Sequence, residues 1–184
     1  YAQKFDDTSF NTNVSYFGDK DPRLLDHLLD IDNFFPRSVV VHIVRDPRDV
    51  VLSRSRAKWS SKWPWLIHAF LFEIQLRLAN VNSVRSKQIS YVEISYEGLI
   101  TDARQELKDI LELLDLKFED SMYSFHTDAK KCIRVDEAQW KSKLNQPLDN
   151  TNKDKWRTDL SPRQVSIIEL ICTRSMKKYG YEFS

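Results

Sequence analysis

One segment of the chain, residues 38–44, constrains the fold more than any other. It reads SVVVHIV, a nearly continuous β-branched run that is typical of a central parallel strand covered by helices on both faces. Asp46 and Pro47 follow closely, and they suit the cap and the first position of a helix. The segment therefore predicts a strand, a tight turn and a helix, the unit from which layered α/β folds are built.

The rest of the chain also alternates between strand and helix patterns. We expect further strands over residues 14–17 and 89–95, and helices that begin after Asp21, at Pro64, after Thr101 or Asp102, and after Ser161. The helix at Pro64 is expected to bury one apolar face, which carries Ile67, Leu71, Ile74, Leu78 and Val81. Residues 1–184 are interpreted as a single α/β domain with a central parallel sheet flanked by helices.

Composition limits the classes of function. The 184 residues include 28 Lys and Arg against 27 Asp and Glu, and a formal charge of +1 argues against a nucleic-acid or membrane-surface binder. No segment is apolar enough to predict a membrane span. Cys132 and Cys172 lack the spacing of metal ligands and are expected to be buried free thiols, with one bridge between them as the alternative. These features favour a cytoplasmic protein, with a secretory-pathway protein as the alternative.

Positive charge is concentrated around the end of the 38–44 strand. Residues 37–63 contain seven basic and two acidic residues, a local charge of +5. Arg45 ends the strand, at the sheet edge where open α/β folds bind ligands, and Ser53 lies eight residues further on. Arg45 offers a bidentate clamp for a phosphate, and Ser53 and the start of the helix offer further donors. The alternatives are an Arg45–Asp49 ion pair, a packing role for Ser53 and a solvated basic face.

Four segments resemble motifs of the sulfotransferase family, whose members use 3′-phosphoadenosine 5′-phosphosulfate (PAPS). Residues 41–53, VHIVRDPRDVVLS, resemble the 3′-phosphate-binding segment, and residues 94–99, ISYEGL, resemble the Tyr-Glu-x-Leu segment. Residues 155–181, which begin KWR and end YGY, resemble the closing loop and helix. Residues 18–22, GDKDP, resemble a turn of several family branches. The four segments occur in the family's order.

The resemblance implies a P-loop NTPase-like sulfotransferase fold with PAPS as its cofactor. Arg45 and Ser53 are then expected to bind the 3′-phosphate, and Tyr96 is expected to lie near the adenosine. A basic residue of the closing loop, Lys153 or Lys155, is expected to contact the nucleotide.

One element of the family pattern has no counterpart here. The family's N-terminal strand, Gly-rich loop and helix bind the 5′-phosphosulfate, and none of the 17 residues before Gly18 resembles them. We therefore expect the sequence to be N-terminally incomplete and activity to require the upstream segment, with a degenerate family member as the alternative.

The turn after Gly18 carries the candidate catalytic residues. Sulfuryl transfer requires an in-line arrangement and a cation that neutralises charge on the leaving phosphate oxygen, and Lys20 is the candidate for that cation. Asp19 occupies the position of a glutamate that serves some family branches as the base. The alternative is an exposed turn that precedes a helix cap at Asp21.

The expected function is therefore that of an enzyme. It would move the sulfuryl group of PAPS to a hydroxyl or amine of a small-molecule, carbohydrate or peptide acceptor, leaving 3′-phosphoadenosine 5′-phosphate and needing no metal. One alternative is a non-catalytic nucleotide- or partner-binding domain. Another is a P-loop kinase-like phosphotransferase, although the sequence contains no Walker loop. The sequence identifies neither the acceptor nor the oligomeric state.

Overall fold

The structure is a computed structural model that describes residues 16–58, 60–124, 126–127 and 150–184. Its main regular elements, in chain order, are a 3₁₀ turn (Pro22–His27), α1 (Leu28–Phe34), β1 (Val39–Val44), α2 (Pro47–Arg56), α3 (Trp65–Arg85), β2 (Ser90–Ser95), α4 (Tyr96–Thr101), α5 (Ala103–Glu106), α6 (Lys108–Leu113), 3₁₀ turns (Asp120–Ser124 and Asn150–Asn152), α7 (Trp156–Asp159), α8 (Pro162–Ile171) and α9 (Thr173–Tyr179). The α/β class with a parallel sheet is confirmed.

The sheet brings two distant segments of the chain side by side. β1 and β2 pair in parallel, in a register that runs from Val39 opposite Ser90 to Val44 opposite Ser95. The α2–α3 segment connects them, as a parallel pair requires a long crossover. Because parallel strands end at the same edge, the residues that follow β1 and β2 are neighbours.

The main core lies between the second and third helices and the C-terminal pair α8 and α9. Its buried members are Val51, Ala69, Phe72, Leu76, Ile168, Cys172 and Met176. This packing fixes α2, which begins at the end of β1, against the last part of the chain.

The expectation that β1 is covered on both faces is wrong for the described residues. His42 and Val44 are buried, but Val41 and Ile43, on the other face, are 40% and 49% exposed. The described elements cover that face unevenly: Ile94 of β2, the register partner of Ile43, is buried there, whereas the β1 side chains beside it stay partly open. A β-branched run indicates a preference for the strand conformation, but it does not by itself predict how many faces of the strand are covered.

The apolar face assigned to α3 is also wrong. Leu71, Ile74, Leu78 and Val81 are 46–54% exposed, whereas the buried side of the helix consists of His68, Ala69, Phe72, Glu73, Leu76 and Ala79. Apolar residues occur all round this helix, so its periodicity fits more than one face. The buried side tolerates two polar residues because both have partners: His68 Nε2 lies 3.2 Å from the Ser60 carbonyl oxygen, and Glu73 accepts from Arg77 at 2.7 Å. No described helix, α3 included, combines the length and hydropathy needed to cross a bilayer.

The predicted first strand falls partly outside the described residues. Val14 and Ser15 are not described, and Tyr16 and Phe17 have no regular structure. Tyr16 is held by its side chain instead, since its hydroxyl donates to the Leu114 carbonyl. The cap at Asp21 is confirmed, because its carboxylate accepts the Arg23 N–H at 2.8 Å.

The two other predicted helices are confirmed, each broken once. Asp102 caps α5 through the Gln105 N–H, and α6 follows after a break at Leu107. Ser161 opens α8 with the expected capping box, and the break before α9 falls at Cys172. Cys172 is a buried free thiol whose pKa burial raises to about 12. Cys132 lies outside the described residues.

Glu93 of β2 ties the C-terminal helix to the sheet. Its carboxylate accepts hydrogen bonds from Tyr179 at 2.6 Å and from Lys178 at 2.8 Å, both on α9. Burial opposes ionisation of this carboxyl, but the nearby His42 and the hydrogen bonds from Lys178 and Tyr179 outweigh it and lower the pKa of Glu93 to about 2. The end of the chain is thereby fixed relative to the strand ends.

We predict that Gly180→Ala lowers the free energy of unfolding by about 1 kcal/mol, because Gly180 ends α9 at φ 73°, where a Cβ is strained. Urea denaturation measures this change. Gly18→Ala is the matched control, since no atom lies within 4 Å of a Cβ built there. An equal effect of both substitutions would contradict the assignment of the left-handed cap.

Candidate functional site

The ends of the two strands place Arg45 against Tyr96. Arg45 follows β1 and Tyr96 follows β2, and the paired register makes them neighbours. The Arg45 guanidinium carbon lies 4.4 Å from the centroid of the Tyr96 ring, a cation–π contact. Two of the predicted nucleotide-binding residues are therefore in direct contact.

The guanidinium of Arg45 also meets the segment that follows residue 149. Its Nη2 donates to the Asn152 carbonyl and lies 3.5 Å from Oδ2 of Asp49. Its side chain is 22% exposed, and its buried Nε has no hydrogen-bond partner among the described residues. Arg45 thus forms the ion pair with Asp49 that the sequence offered as the alternative, and its binding of a phosphate stays a prediction.

Asp49 joins the first turn of α2 to the same segment, which we call the 150–156 loop. Its side chain is 1% exposed, and its two carboxylate oxygens accept the backbone N–H groups of Asp154 at 2.9 Å and Trp156 at 3.0 Å. Burial raises the pKa of Asp49, while the Arg45 charge and these N–H groups oppose the rise. We define the strand-end site as Arg45, Asp49, Tyr96 and the 150–156 loop.

The two predicted loop lysines belong to this site by their position in the loop. Lys155 Nζ donates to the Asn152 side-chain oxygen at 2.9 Å, next to the carbonyl that Arg45 contacts. Lys153 is half-buried in the same turn. Trp156 anchors the end of the loop and is buried.

A buried ionic cluster packs against the end of the 150–156 loop at Trp156. Arg48 stacks over the Trp156 ring at 3.7 Å, donates to both carboxylate oxygens of Asp46, and donates to Glu169 of α8 at 2.7 Å. All four side chains are buried, and the Arg48 guanidinium pairs with both carboxylates away from water. The cluster holds the start of α2, the loop and α8 together.

The Glu97 side chain, shortly after β2, binds the backbone shortly after β1. It accepts the Asp46 N–H at 3.0 Å and the Tyr181 hydroxyl at 3.0 Å. Burial raises the pKa of Tyr181, and the neighbouring Glu97 charge adds to the rise.

The expectation that the free N–H groups at the start of α2 bind an anion needs correction. The Arg48 N–H is capped by the Asp46 carboxylate at 2.8 Å, and the Asp46 N–H is taken by Glu97. Protein acceptors already satisfy these two donors, so neither is available to an anion. The sequence shows Asp46 as a cap, but nothing in it indicates that Glu97, 51 residues away, is the second acceptor.

Three predicted residues are not drawn into the strand-end site by any hydrogen bond or ion pair among the described residues. Ser53 is exposed on α2, and Asp19 and Lys20 are exposed in the turn before the first 3₁₀ helix. The turn is closed locally, since the Lys20 N–H donates to Asp19 Oδ1 at 2.8 Å. Their roles stay predictions.

Comparisons with known proteins agree with one another. A family model described as "Sulfotransferase family" matches residues 2–120. No curated protein sequence gives a significant match. Among solved structures, the sulfotransferase domain from the curacin biosynthetic pathway is 19% identical with a TM-score of 0.73, over 90% of this chain and 62% of that chain. The sulfotransferase domain from the Synechococcus PCC 7002 olefin synthase is 22% identical with a TM-score of 0.61, over 90% and 58%.

These two structures share the fold of this chain, the P-loop-like α/β fold predicted from the sequence. The chain spans less than two thirds of the length of either of them.

We predict that Arg48→Ala lowers the free energy of unfolding by about 3–5 kcal/mol, because it leaves the carboxylates of Asp46 and Glu169 buried without their partner. Arg56→Ala, which breaks an exposed pair with Asp159, is the control and should cost less than about 1 kcal/mol. Chemical denaturation measures the free energy of unfolding of both variants. Similar losses in the two variants would mean that the cluster does not hold the loop.

Proposed function

Because the chain belongs to the sulfotransferase family, we propose that its strand-end site binds the 3′-phosphate and adenosine of PAPS. We propose further that the whole protein transfers the sulfuryl group of PAPS to a hydroxyl or amine acceptor. The observation that carries the proposal is the stacking of Arg45 on Tyr96 at the shared end of β1 and β2. Ligands of open α/β folds bind at this edge.

The residues present suit a phosphate monoester. Arg45 supplies a planar, permanently charged group, and its buried Nε has no partner among the described residues. Lys153 and Lys155 add two cations from the 150–156 loop, and the exposed hydroxyl of Ser53 supplies a neutral donor. The Tyr96 ring lies against the guanidinium and would offer an aromatic surface at the adenosine side.

The chemistry divides between the donor and the chain's own residues. PAPS supplies an activated sulfuryl group, which passes to the acceptor oxygen or nitrogen as its bond to the phosphate oxygen breaks. The strand-end site holds the nucleotide by the phosphate remote from the reacting sulfur, which is a contribution of position rather than of bond-making. Lys20 neutralises the leaving phosphate oxygen, and Asp19 takes the acceptor's proton.

A second candidate function is a nucleotide-binding domain without transfer activity. It is favoured by one observation: among the described residues, no hydrogen bond or ion pair joins Asp19 or Lys20 to the strand-end site. Nucleotide binding without sulfuryl transfer by the whole protein would favour this candidate over the enzyme.

We predict that adenosine 3′,5′-bisphosphate raises the melting temperature of the protein and that Arg45→Ala removes most of this shift. A charged hydrogen bond to phosphate contributes about 1.5–3 kcal/mol, so the variant should bind about 10- to 100-fold more weakly. Thermal shift at several ligand concentrations measures the change.

Arg85→Ala is the matched control for this experiment. Arg85 is exposed at the end of α3, at the opposite edge of the sheet from Tyr96. Arg85→Ala should keep the full rise in melting temperature. An equal loss of that rise in both variants would mean that Arg45 acts only through the overall charge of the protein.

A further inference from the structure

From its contacts with the 150–156 loop, we infer that Asp49 is a positioning residue that keeps the nucleotide site assembled before the nucleotide arrives. The inference rests on the proposed function of the strand-end site. Asp49 is placed to fix the loop, and through the loop Arg45, without touching the nucleotide itself.

The contacts of Asp49 explain why the loop depends on it. The carboxylate uses one oxygen for the Asp154 N–H and the other for the Trp156 N–H, so a single side chain fixes two alternate residues of the loop. Asp154 lies at φ 58°, a left-handed conformation that costs energy and persists only where its surroundings hold it. The Asp49 carboxylate is one of the groups that hold it.

The same carboxylate also acts on Arg45. Its Oδ2 lies 3.5 Å from Arg45 Nη2, and the loop that it fixes presents the Asn152 carbonyl to that same nitrogen. Lys155 is bound to the Asn152 side chain. Release of the loop would therefore free Arg45 to change rotamer and would move Lys155 away from it.

Simple electrostatics predicts the opposite effect of removing Asp49. A negative charge beside Arg45 repels a phosphate dianion, so loss of that charge should strengthen binding if Asp49 only balances charge. If Asp49 positions the loop, loss of the charge weakens binding. The sign of the change therefore distinguishes the two roles.

The test compares Asp49→Asn with Asp32→Asn in the intact chain. Asp32 is a matched control because it is also buried and its carboxylate also accepts backbone N–H groups, those of Lys87, Gln88 and Ile89, at the opposite edge of the sheet. An asparagine at either position removes the charge. At position 49, where both oxygens accept, it also turns an N–H₂ group toward an N–H donor. At position 32 all three N–H groups bind Oδ1, which an asparagine retains, so this control tests the loss of a buried charge alone. Two readouts follow: affinity for adenosine 3′,5′-bisphosphate by calorimetry, and tryptic cleavage after Lys153, Lys155 and Arg157 without nucleotide, resolved by mass spectrometry.

We expect Asp49→Asn to weaken bisphosphate binding about tenfold and to accelerate cleavage at these three bonds about tenfold, in line with the loss of a charge-assisted hydrogen bond. Asp32→Asn should leave both values within about twofold of wild type. Unchanged cleavage in Asp49→Asn, faster cleavage with unchanged or tighter binding, or equal effects of Asp32→Asn would each overturn the inference.

Two further observations separate this inference from its premise. If the wild-type chain binds no bisphosphate, the proposed function fails, and the positioning role falls with it. This outcome differs from failure of the inference alone, because neither the wild type nor Asp32→Asn then binds the bisphosphate. If Asp49→Asn does not fold, amide hydrogen exchange of the wild type decides. The Asp154 and Trp156 amides should then exchange at least about tenfold more slowly than the exposed Glu182 amide. Equal exchange would overturn the inference.

Discussion

The proposed nucleotide site depends first on the position of one guanidinium, that of Arg45. Arg45 follows β1, and its guanidinium lies against the Tyr96 ring and meets the Asn152 carbonyl and the Asp49 carboxylate. Each of these neighbours comes from a different segment of the chain. The parallel pairing of β1 and β2, the packing of α2 and the course of the 150–156 loop must therefore all be correct for Arg45 to be held in this orientation.

Buried charge is the means by which the surrounding structure is fixed. Arg48 is enclosed by Asp46, Glu169 and the Trp156 ring, and Glu97 takes the Asp46 N–H. Such groups are costly to bury alone, and each is compensated only when its partners are in place. The cluster consequently ties the start of α2, the loop and α8 to a single arrangement.

Much of this arrangement could be predicted from the sequence, because it depends on local rules. The β-branched run defines β1, and the caps at Asp46, Asp102 and Ser161 define helix starts. The parallel pairing of β1 and β2 brings together the residues that follow them, Arg45 and Tyr96. Other features depend on contacts between distant residues. The hydrogen bonds from the loop to Asp49 join residues 105 and 107 positions apart, and no periodic pattern in the sequence predicts them. The buried face of α3 was mispredicted for a related reason: apolar residues on several sides leave the choice of face to tertiary packing.

The most direct measurement is a two-by-two comparison by calorimetry, with adenosine 5′-monophosphate and adenosine 3′,5′-bisphosphate as ligands and wild type and Arg45→Ala as proteins. The two ligands differ only in the 3′-phosphate, so the comparison isolates the interaction of that group with Arg45. We expect the 3′-phosphate to strengthen binding to the wild type about 10- to 100-fold and to give the variant little advantage. A variant that keeps the full preference for the bisphosphate would contradict the assignment of this site.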